Sequence, residues 1–249
     1  MNLSLLEESI KLLQDNEPKE GYHLAFSGGK DSVVIKEIAK LSGVKYESHF
    51  ALTSIDPPEL LDFIKEYHKD VIWHRPEKTM YQLILKHKMP PLRIMRYCCK
   101  YLKEYLGMGK FVITGIRAKE SSRRKKRKQI EEGRQKGKTF IHPIFYWSEN
   151  NVWNFIRNNN IPYCKLYDEG FLRIGCIGCP MQTSKQAHFM FQKYPKHRLA
   201  YIKTFEKIMP YYKHKNRFQD AEEMFEQWIS DFTMDEWDGQ KQQIKFSFA

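Results

Sequence analysis

The sequence lacks any apolar run approaching the roughly 20 residues of a membrane-spanning helix. Residues 1–20 carry acids and amides where a secretory signal has a basic stretch followed by an apolar one. Cysteine is also scarce, with five among 249 residues. These absences predict a cytoplasmic chain outside the membrane, where thiols serve as metal ligands or catalysts rather than as disulfides.

Acidic residues are too few to balance the basic ones, and the formal net charge is +12. Most of the excess lies in residues 117–138, the basic segment, which has eleven Lys or Arg against three Glu and a net charge of +8. The segment shows no apolar periodicity, which predicts a loop. Its charge favours polyanions such as nucleotide phosphates or nucleic acid, and a solvated connector is the alternative.

Short apolar runs alternate with helical patterns from residue 22 to residue 158. This alternation predicts an α/β fold, with a Rossmann-like parallel sheet of about five strands and helices on both faces. After residue 180 only helical spacing remains, and its aromatics, from Tyr194 to Phe232, indicate packing, with a base-stacking platform as the alternative. We therefore expect a nucleotide-binding domain over 1–180 and a helical extension over 181–249.

A glycine loop stands between the first predicted strand and the helix that follows it. Glycines let the backbone approach an anion, and the helix N-terminus favours negative charge. The spacing is not that of a Walker A loop. The loop consists of Ser27, Gly28, Gly29, Lys30, Asp31 and Ser32. Gly115 and Arg117 close a later strand, where ligands bind in doubly wound sheets, so Arg117 is a candidate phosphate ligand.

Four of the five cysteines form a doublet, Cys98-Cys99, and a C-x-x-C, Cys176 to Cys179. Adjacent thiolates suit separate iron corners of a cubane better than one tetrahedral zinc ion. An iron–sulfur cluster is the favoured hypothesis, while zinc and unliganded thiols stay open. The fifth thiol, Cys164, is typical of a buried structural cysteine, with a catalytic role as the alternative.

The glycine loop resembles the pyrophosphate-binding loop of ATP pyrophosphatases. With the cysteine pattern and the Thr114-Gly115-Ile116-Arg117 strand end, residues 22–181 resemble the phosphoadenosine phosphosulfate (PAPS) reductase family. The resemblance implies ATP or a related adenine nucleotide at Ser27–Ser32, Asp56, Gly115 and Arg117, with Lys30, Asp31 and Arg117 in catalysis. It also implies a 4Fe–4S cluster on Cys98, Cys99, Cys176 and Cys179, with Lys103 beside it. Asp31 or Asp56 would partner Mg²⁺.

Two features depart from the sulfonucleotide reductases of that family. No cysteine follows Cys179 to serve as their redox thiol, and the loop is intact where theirs has diverged. Both favour chemistry at the α-phosphate of ATP, an adenylation that serves sulfur transfer, with a sulfur-donor protein as a partner. The alternatives are a sulfonucleotide reductase and a nucleic-acid-binding or partner-dependent subunit without catalysis. The sequence leaves the oligomeric state open.

Overall fold

The computed structural model describes residues 3–133, 137–212 and 215–230. The chain divides into two compact units. The first contains the residues up to Met80 together with Tyr97–Cys176, and the second contains Tyr81–Arg96 together with the residues from Ile177 onward. In the described part of the chain, no helix combines the length and the apolar character needed to cross a bilayer. The domain boundary after residue 180 stays a prediction.

The first unit is built on a six-stranded sheet. Its strands are β1 (Tyr22–Ala25), β2 (Tyr46–Ala51), β3 (Ile72–His74), β4 (Phe111–Ile113), β5 (Ile130–Glu132) and β6 (Thr139–Ile141). They lie in the order β3-β2-β1-β4-β6-β5, and every neighbouring pair is parallel except β5 with β6. The predicted α/β fold with a Rossmann-like parallel sheet is confirmed.

The described residues of the two units contain ten α-helices. They are α1 (Leu3–Asp15), α2 (Lys30–Ser42), α3 (Pro58–Tyr67), α4 (Met80–His87), α5 (Tyr97–Leu102), α6 (Ser122–Lys125), α7 (Glu149–Asn158), α8 (Ser184–Lys193), α9 (Pro195–Ile208) and α10 (Ala221–Ser230). Ser148 caps α7, since its hydroxyl accepts the Asn151 N–H at 3.1 Å.

Strand β1 occupies the centre of the sheet, between β2 and β4. Leu24 pairs with Ser48 on one side and with Ile113 on the other, and both Leu24 and Ile113 are fully buried. The chain therefore leaves β1 toward β2 and later returns to β4 on the opposite side. In open parallel sheets such a switch in strand order opens a crevice at the carboxyl ends of the strands, where ligands bind.

The loop predicted for residues 117–138 is wrong in two places. Residues Ser122–Lys125 form α6, and Ile130–Glu132 form β5, which pairs with β6 through Ile130 opposite Ile141. The sheet therefore has six strands rather than about five. A three-residue edge strand rich in charge carries too few apolar positions to show a period. Residues 134–136 lie outside the described part.

The second unit is helical in its described residues after 180, as expected. Pro195 begins α9 and divides the helical spacing after residue 180 between α8 and α9. Tyr201, Phe205 and Phe225 are fully buried, which confirms packing for them, but Tyr211 is 65% exposed and does not fit that prediction. Phe232 lies outside the described residues.

Segment 81–96 belongs with these helices rather than with the sheet. Trp228 donates its indole N–H to the Pro91 carbonyl at 2.8 Å, and Tyr81 meets Tyr201 edge-to-face with ring centroids 5.3 Å apart. The sequence did not indicate this association, because the contacts join segments more than 100 residues apart.

Candidate functional site

The glycine loop joins β1 to α2 as the sequence predicts. Gly28 has φ of +72°, and a Cβ there would lie 2.5 Å from Cδ1 of Leu60 and 2.9 Å from Cδ1 of Ile64 on α3. Only glycine satisfies both the left-handed conformation and the close approach of this helix. Gly29 is the N-cap residue of α2, and a glycine brings no capping side chain. The N–H of Lys30 is already bonded to the Tyr167 hydroxyl at 2.9 Å, so the start of α2 offers only part of its N–H groups to an external acceptor.

The two serines of the loop hold its shape. Ser32 Oγ donates to the Gly29 carbonyl at 2.8 Å, and Ser27 Oγ lies 3.2 Å from Ser32 Oγ. This hydroxyl pair links the beginning of the loop to the first turn of α2. Each hydroxyl has one hydrogen, which here is donated inside the loop, so either serine must rotate its hydroxyl to donate to a phosphate oxygen.

Arg117 reaches the loop from the neighbouring strand end. Its Nε donates to Asp31 Oδ1 at 2.6 Å, and its side chain is buried. Gly115 makes this approach possible, because a Cβ there would lie 3.0 Å from both the backbone and the Cβ of Asp31. Glu120 holds the other side of Arg117 by accepting its backbone N–H at 2.9 Å. The structure therefore brings together Asp31, Gly115 and Arg117, which the sequence predicted as site residues.

Lys30 is a buried cation beside two carboxylates. Its Nζ lies 3.4 Å from Asp31 Oδ2 and 3.5 Å from Glu149 Oε1, and the residue is only 4% exposed. With Arg117 it places two positive charges around one carboxylate at the mouth of the loop. Buried charges are costly unless paired, so this cluster is held together by its own ion pairs.

Tyr167 and Glu149 are functional candidates that sequence reasoning missed. The Tyr167 hydroxyl accepts the backbone N–H of Lys30 at 2.9 Å, and the Lys30 ammonium lies 5.6 Å from its ring centroid. Burial raises the pKa of Tyr167, so the phenol stays protonated and can donate to a ligand. No local signal could have revealed this contact, since the partners are 137 positions apart.

Asp56 follows β2. In the described residues it makes no hydrogen bond to the ion-pair cluster around Asp31. Its Oδ2 accepts the Thr53 N–H at 2.6 Å, and the residue is buried. The carboxylate therefore shapes the turn after β2, while its second oxygen keeps acceptor capacity. Its predicted part in nucleotide or Mg²⁺ binding stays a prediction.

The cysteines are distributed over both units. Cys98 and Cys99 lie in the first turn of α5, Cys176 ends the first unit, and Cys179 belongs to the second. Gly178 has φ of +71°, and a Cβ there would lie 2.8 Å from Cζ of Phe191, so the C-x-x-C turn requires glycine. Lys103 donates its backbone N–H to the Cys99 carbonyl at 2.9 Å.

Four thiols are the donor set that a cubane iron–sulfur cluster uses, so the residue types fit that cofactor. Among residues 3–133, 137–212 and 215–230, no three His, Cys, Asp or Glu side chains are arranged to hold a metal ion. The cluster and its ligand set therefore stay a hypothesis. Cys164 is different, because it is fully buried and burial raises the pKa of its thiol.

Comparison with known proteins places these features in a family. The model of the phosphoadenosine phosphosulfate reductase domain matches residues 21–182. An uncharacterised protein of Methanocaldococcus jannaschii is 32% identical over 206 residues, covering 78% of this chain and 49% of that protein. The adenosine 5'-phosphosulfate reductase of Staphylococcus haemolyticus is 28% identical over 154 residues, covering 58% of this chain and 61% of that protein.

A solved structure has the same fold. The PAPS reductase of Candida auris, determined as a phosphate complex, superposes with a TM-score of 0.53 at 20% identity, covering 70% of this chain and 91% of that one. The present chain spans about half the length of the first M. jannaschii relative that it matches, and 40% of a second.

Proposed function

The chain belongs to the phosphoadenosine phosphosulfate reductase family, and from that premise we propose that it binds ATP and acts at the α-phosphate. The observation that carries the proposal is the intact loop at the carboxyl end of β1, with Lys30 and Arg117 around Asp31. Two buried cations beside the start of α2, where the N-cap glycine brings no side chain, support an anion site at the switch in strand order. Two of the similar proteins named above, from S. haemolyticus and C. auris, are sulfonucleotide reductases.

The reaction is an adenylyl transfer. An acceptor oxygen forms a bond to the α-phosphorus while the bond from that phosphorus to the bridging oxygen of the β-phosphate breaks. The electron pair leaves with pyrophosphate, and the adenylated acceptor becomes open to substitution, for example by sulfur from a donor protein. Phosphoryl and adenylyl transfers depend mostly on positioning and on stabilising the negative charge that develops on phosphate oxygens.

Each residue of the site has a role in this scheme. The N–H of Asp31 at the start of α2 and the ammonium of Lys30 bind the departing pyrophosphate. Arg117 donates toward the α-phosphate, and Asp31 fixes the orientation of both cations through its two oxygens. Asp31 and Asp56 offer the carboxylate oxygens that Mg²⁺ prefers, and the ion would neutralise phosphate charge when bound.

We assign the 4Fe–4S cluster a structural and electrostatic part in this scheme. Its support is donor chemistry and spacing: four cysteines can occupy all four irons of a cubane, which leaves no corner for a substrate sulfide. A cluster held by Cys98, Cys99, Cys176 and Cys179 would add charge near the nucleotide and would not be the sulfur donor.

Sulfonucleotide reduction is the second candidate. It is favoured by the similarity to two sulfonucleotide reductases. That chemistry needs a reactive thiolate, because the thiolate is the nucleophilic form of cysteine. Beyond the four proposed cluster ligands the chain has only Cys164. Its full burial and its raised pKa disfavour attack on a substrate sulfur, so adenylyl transfer is the better-supported proposal.

The test identifies which bond of ATP is cleaved by tracing a radioactive phosphate into the products. Anaerobically purified protein is incubated with ATP that carries ³²P in either the α or the γ position, and separately with adenosine 5'-phosphosulfate. We expect labelled pyrophosphate from the γ label and AMP or an adenylated product from the α label. Release of inorganic phosphate with ADP, or of sulfite from the sulfonucleotide, would contradict the proposal. Arg117→Ala should abolish turnover, whereas Lys11→Ala, on an exposed position of α1, should not.

A further inference from the structure

A small cavity of about 220 Å³ opens on the first unit, between α7 and residues 163–172. It is smaller than the roughly 300–1,000 Å³ of pockets for drug-sized ligands, so its size suits one ring system. Its lining includes Glu149, Trp153, Arg157, Tyr163, Tyr167 and Asp168. We call it the aromatic pocket.

Four aromatic side chains line the aromatic pocket, and one of them, Phe171, is buried. Trp153 meets Tyr163 and Tyr167 edge-to-face, with ring centroids 5.3 Å and 5.1 Å apart. All three side chains are partly exposed. The core face of the same helix is separate, since Val152 and Phe155 are buried. These rings therefore line a cavity that is open to solvent rather than fill the core.

Polar groups at the rim are suited to the edge of a heterocycle. The Tyr163 hydroxyl donates to Asp168 Oδ1 at 3.0 Å, and the Arg157 guanidinium lies 5.6 Å from the ring centroid of Trp153. Donors and acceptors thus stand beside the aromatic faces. This combination of stacking surface and polar rim is how proteins bind exposed bases.

The aromatic pocket adjoins the glycine loop through two direct contacts. The Tyr167 hydroxyl accepts the Lys30 N–H at 2.9 Å, and Glu149 Oε1 lies 3.5 Å from Lys30 Nζ. A ring stacked on Tyr167 would therefore lie one side chain from the residue proposed to bind phosphate.

The basic segment contacts the same loop through its first residue. Asp31 is paired with both Lys30 and Arg117, the first residue of the segment, and Glu120 joins Arg117 to Arg124. Beyond this chain of contacts Lys125 and Lys126 are exposed. Cations for a phosphate backbone and aromatic rings for a base therefore flank one loop, as in proteins that bind single-stranded nucleic acid.

We propose that the aromatic pocket binds a nucleobase, as the second ligand of the site beside the ATP phosphates. The base comes from a free nucleoside or from a single-stranded nucleic acid whose backbone lies on the basic segment. The proposal rests on the proposed function only for the identity of the first ligand.

Calorimetry first measures the binding of α,β-methylene-ATP, an ATP analogue. Binding of a nucleobase probe is then measured with the nucleotide site saturated by this analogue. The probes are the four free ribonucleosides and a single-stranded RNA octamer of mixed sequence. At least one nucleoside should bind alongside the analogue, and Trp153→Ala should weaken it by about 5- to 150-fold, the range that stacking on one aromatic ring supplies. Tyr163→Leu is the second pocket variant, and Tyr146→Ala removes an aromatic ring that is 57% exposed and outside the pocket as the matched control.

Further measurements distinguish a free nucleoside from a nucleic acid as the source of the base. They also distinguish failure of the pocket proposal from failure of the proposed ATP function. Lys125→Gln with Lys126→Gln should weaken the octamer and leave nucleoside binding unchanged if the ligand is a nucleic acid, while a free-nucleoside pocket binds nucleosides and not the octamer. Either result supports the pocket. Displacement of the nucleoside by the analogue, no nucleoside or octamer binding, or equal affinity in folded Trp153→Ala and Tyr163→Leu would overturn it. Failure of the analogue to bind contradicts the proposed function alone.

Discussion

Nε of Arg117 lies 2.6 Å from Oδ1 of Asp31, although 86 positions separate the two residues. The contact exists because Asp31 follows β1 and Arg117 follows β4, and these strands are parallel neighbours whose carboxyl ends meet. Gly115 allows the strand end to approach α2 without a Cβ between them. The ion pair is therefore a product of sheet topology, and the position of a guanidinium at the glycine loop depends on it.

Replacing Asp31 should destabilise the protein more than replacing Arg117. Asp31→Asn leaves buried Arg117 without its carboxylate, and breaking a buried pair costs about 3–5 kcal/mol. Arg117→Met should lower the free energy of unfolding by less, about 1–3 kcal/mol, because Asp31 keeps Lys30 at 3.4 Å and is partly exposed. Urea unfolding of both variants measures the difference.

The double variant completes a thermodynamic cycle. Removing both partners leaves no unpaired Arg117, so its loss of stability should be smaller than the sum of the two single losses. Additive losses would mean that the pair does not interact in solution. Both single variants should also lose ATP affinity, read by calorimetry at a temperature where each is folded.

Gly28→Ala should be more harmful than Gly43→Ala. Both glycines have φ of +72°, which costs an alanine about 1–2 kcal/mol. At Gly43 no atom lies within 4 Å of the added Cβ, whereas at Gly28 the Cβ would lie 2.5 Å from Leu60. Gly43→Ala therefore measures the backbone strain alone. Equal stability loss in the two variants, or full ATP binding by Gly28→Ala, would show that the loop tolerates displacement of α3.

The sequence predicts those parts of the site that are continuous in the chain. Ser27 to Ser32 form a strand–loop–helix unit whose glycines and spacing are readable without neighbours, and the alternation of strands and helices predicts the parallel sheet. Tyr167, Glu149 and β5 were not predicted. Tyr167 contacts Lys30, which lies 137 positions away in the chain. Strand β5 has only three residues, two of them charged, so it shows no apolar alternation. Both follow from tertiary packing, which overrides local pattern.

Anaerobic purification should give a brown protein with about four irons per chain, the stoichiometry of one cubane. Cys98→Ser, Cys99→Ser, Cys176→Ser and Cys179→Ser should each lose the cluster, because each removes one thiolate ligand. Cys164→Ala is the matched control. It should keep all four irons, because Cys164 is fully buried and is not one of the four proposed ligands. One zinc per chain without iron, or loss of iron in Cys164→Ala, would contradict the assignment.

Acid should destabilise the first unit through His142. The residue is fully buried, and burial first, then Arg127, lowers its pKa from 6.5 to about 4. The folded state keeps the ring neutral while the unfolded state takes up a proton below pH 6.5, so stability is complete above that pH and is lost as pH falls toward 4. At pH 5 the loss from this residue is about 2 kcal/mol. Urea unfolding between pH 7.5 and 5 measures it.

Two variants separate titration from packing. His142→Gln removes the titrating group and should flatten the pH dependence by that amount. Thr114→Val removes the hydroxyl that lies 2.7 Å from His142 Nδ1, so it should lower stability at every pH and keep the slope. A slope unchanged in His142→Gln would show that this histidine is not the group responsible.

Neutralising the exposed cations of the basic segment should weaken polyanion binding and flatten its salt dependence. In the described residues Arg124 and Arg127 are paired with Glu120 and Glu131, whereas Arg123, Lys125 and Lys126 are exposed and lie in no ion pair. Each phosphate contact contributes about 0.7 to the slope of log K against log salt for single strands, so changing these three to glutamine should reduce the slope by about 2. Lys203→Gln with Lys207→Gln, on exposed positions of α9, removes two charges from the other unit and should leave the slope unchanged. A solvated connector, by contrast, would give the same affinity and slope in both variants, because no counterions would be released from it.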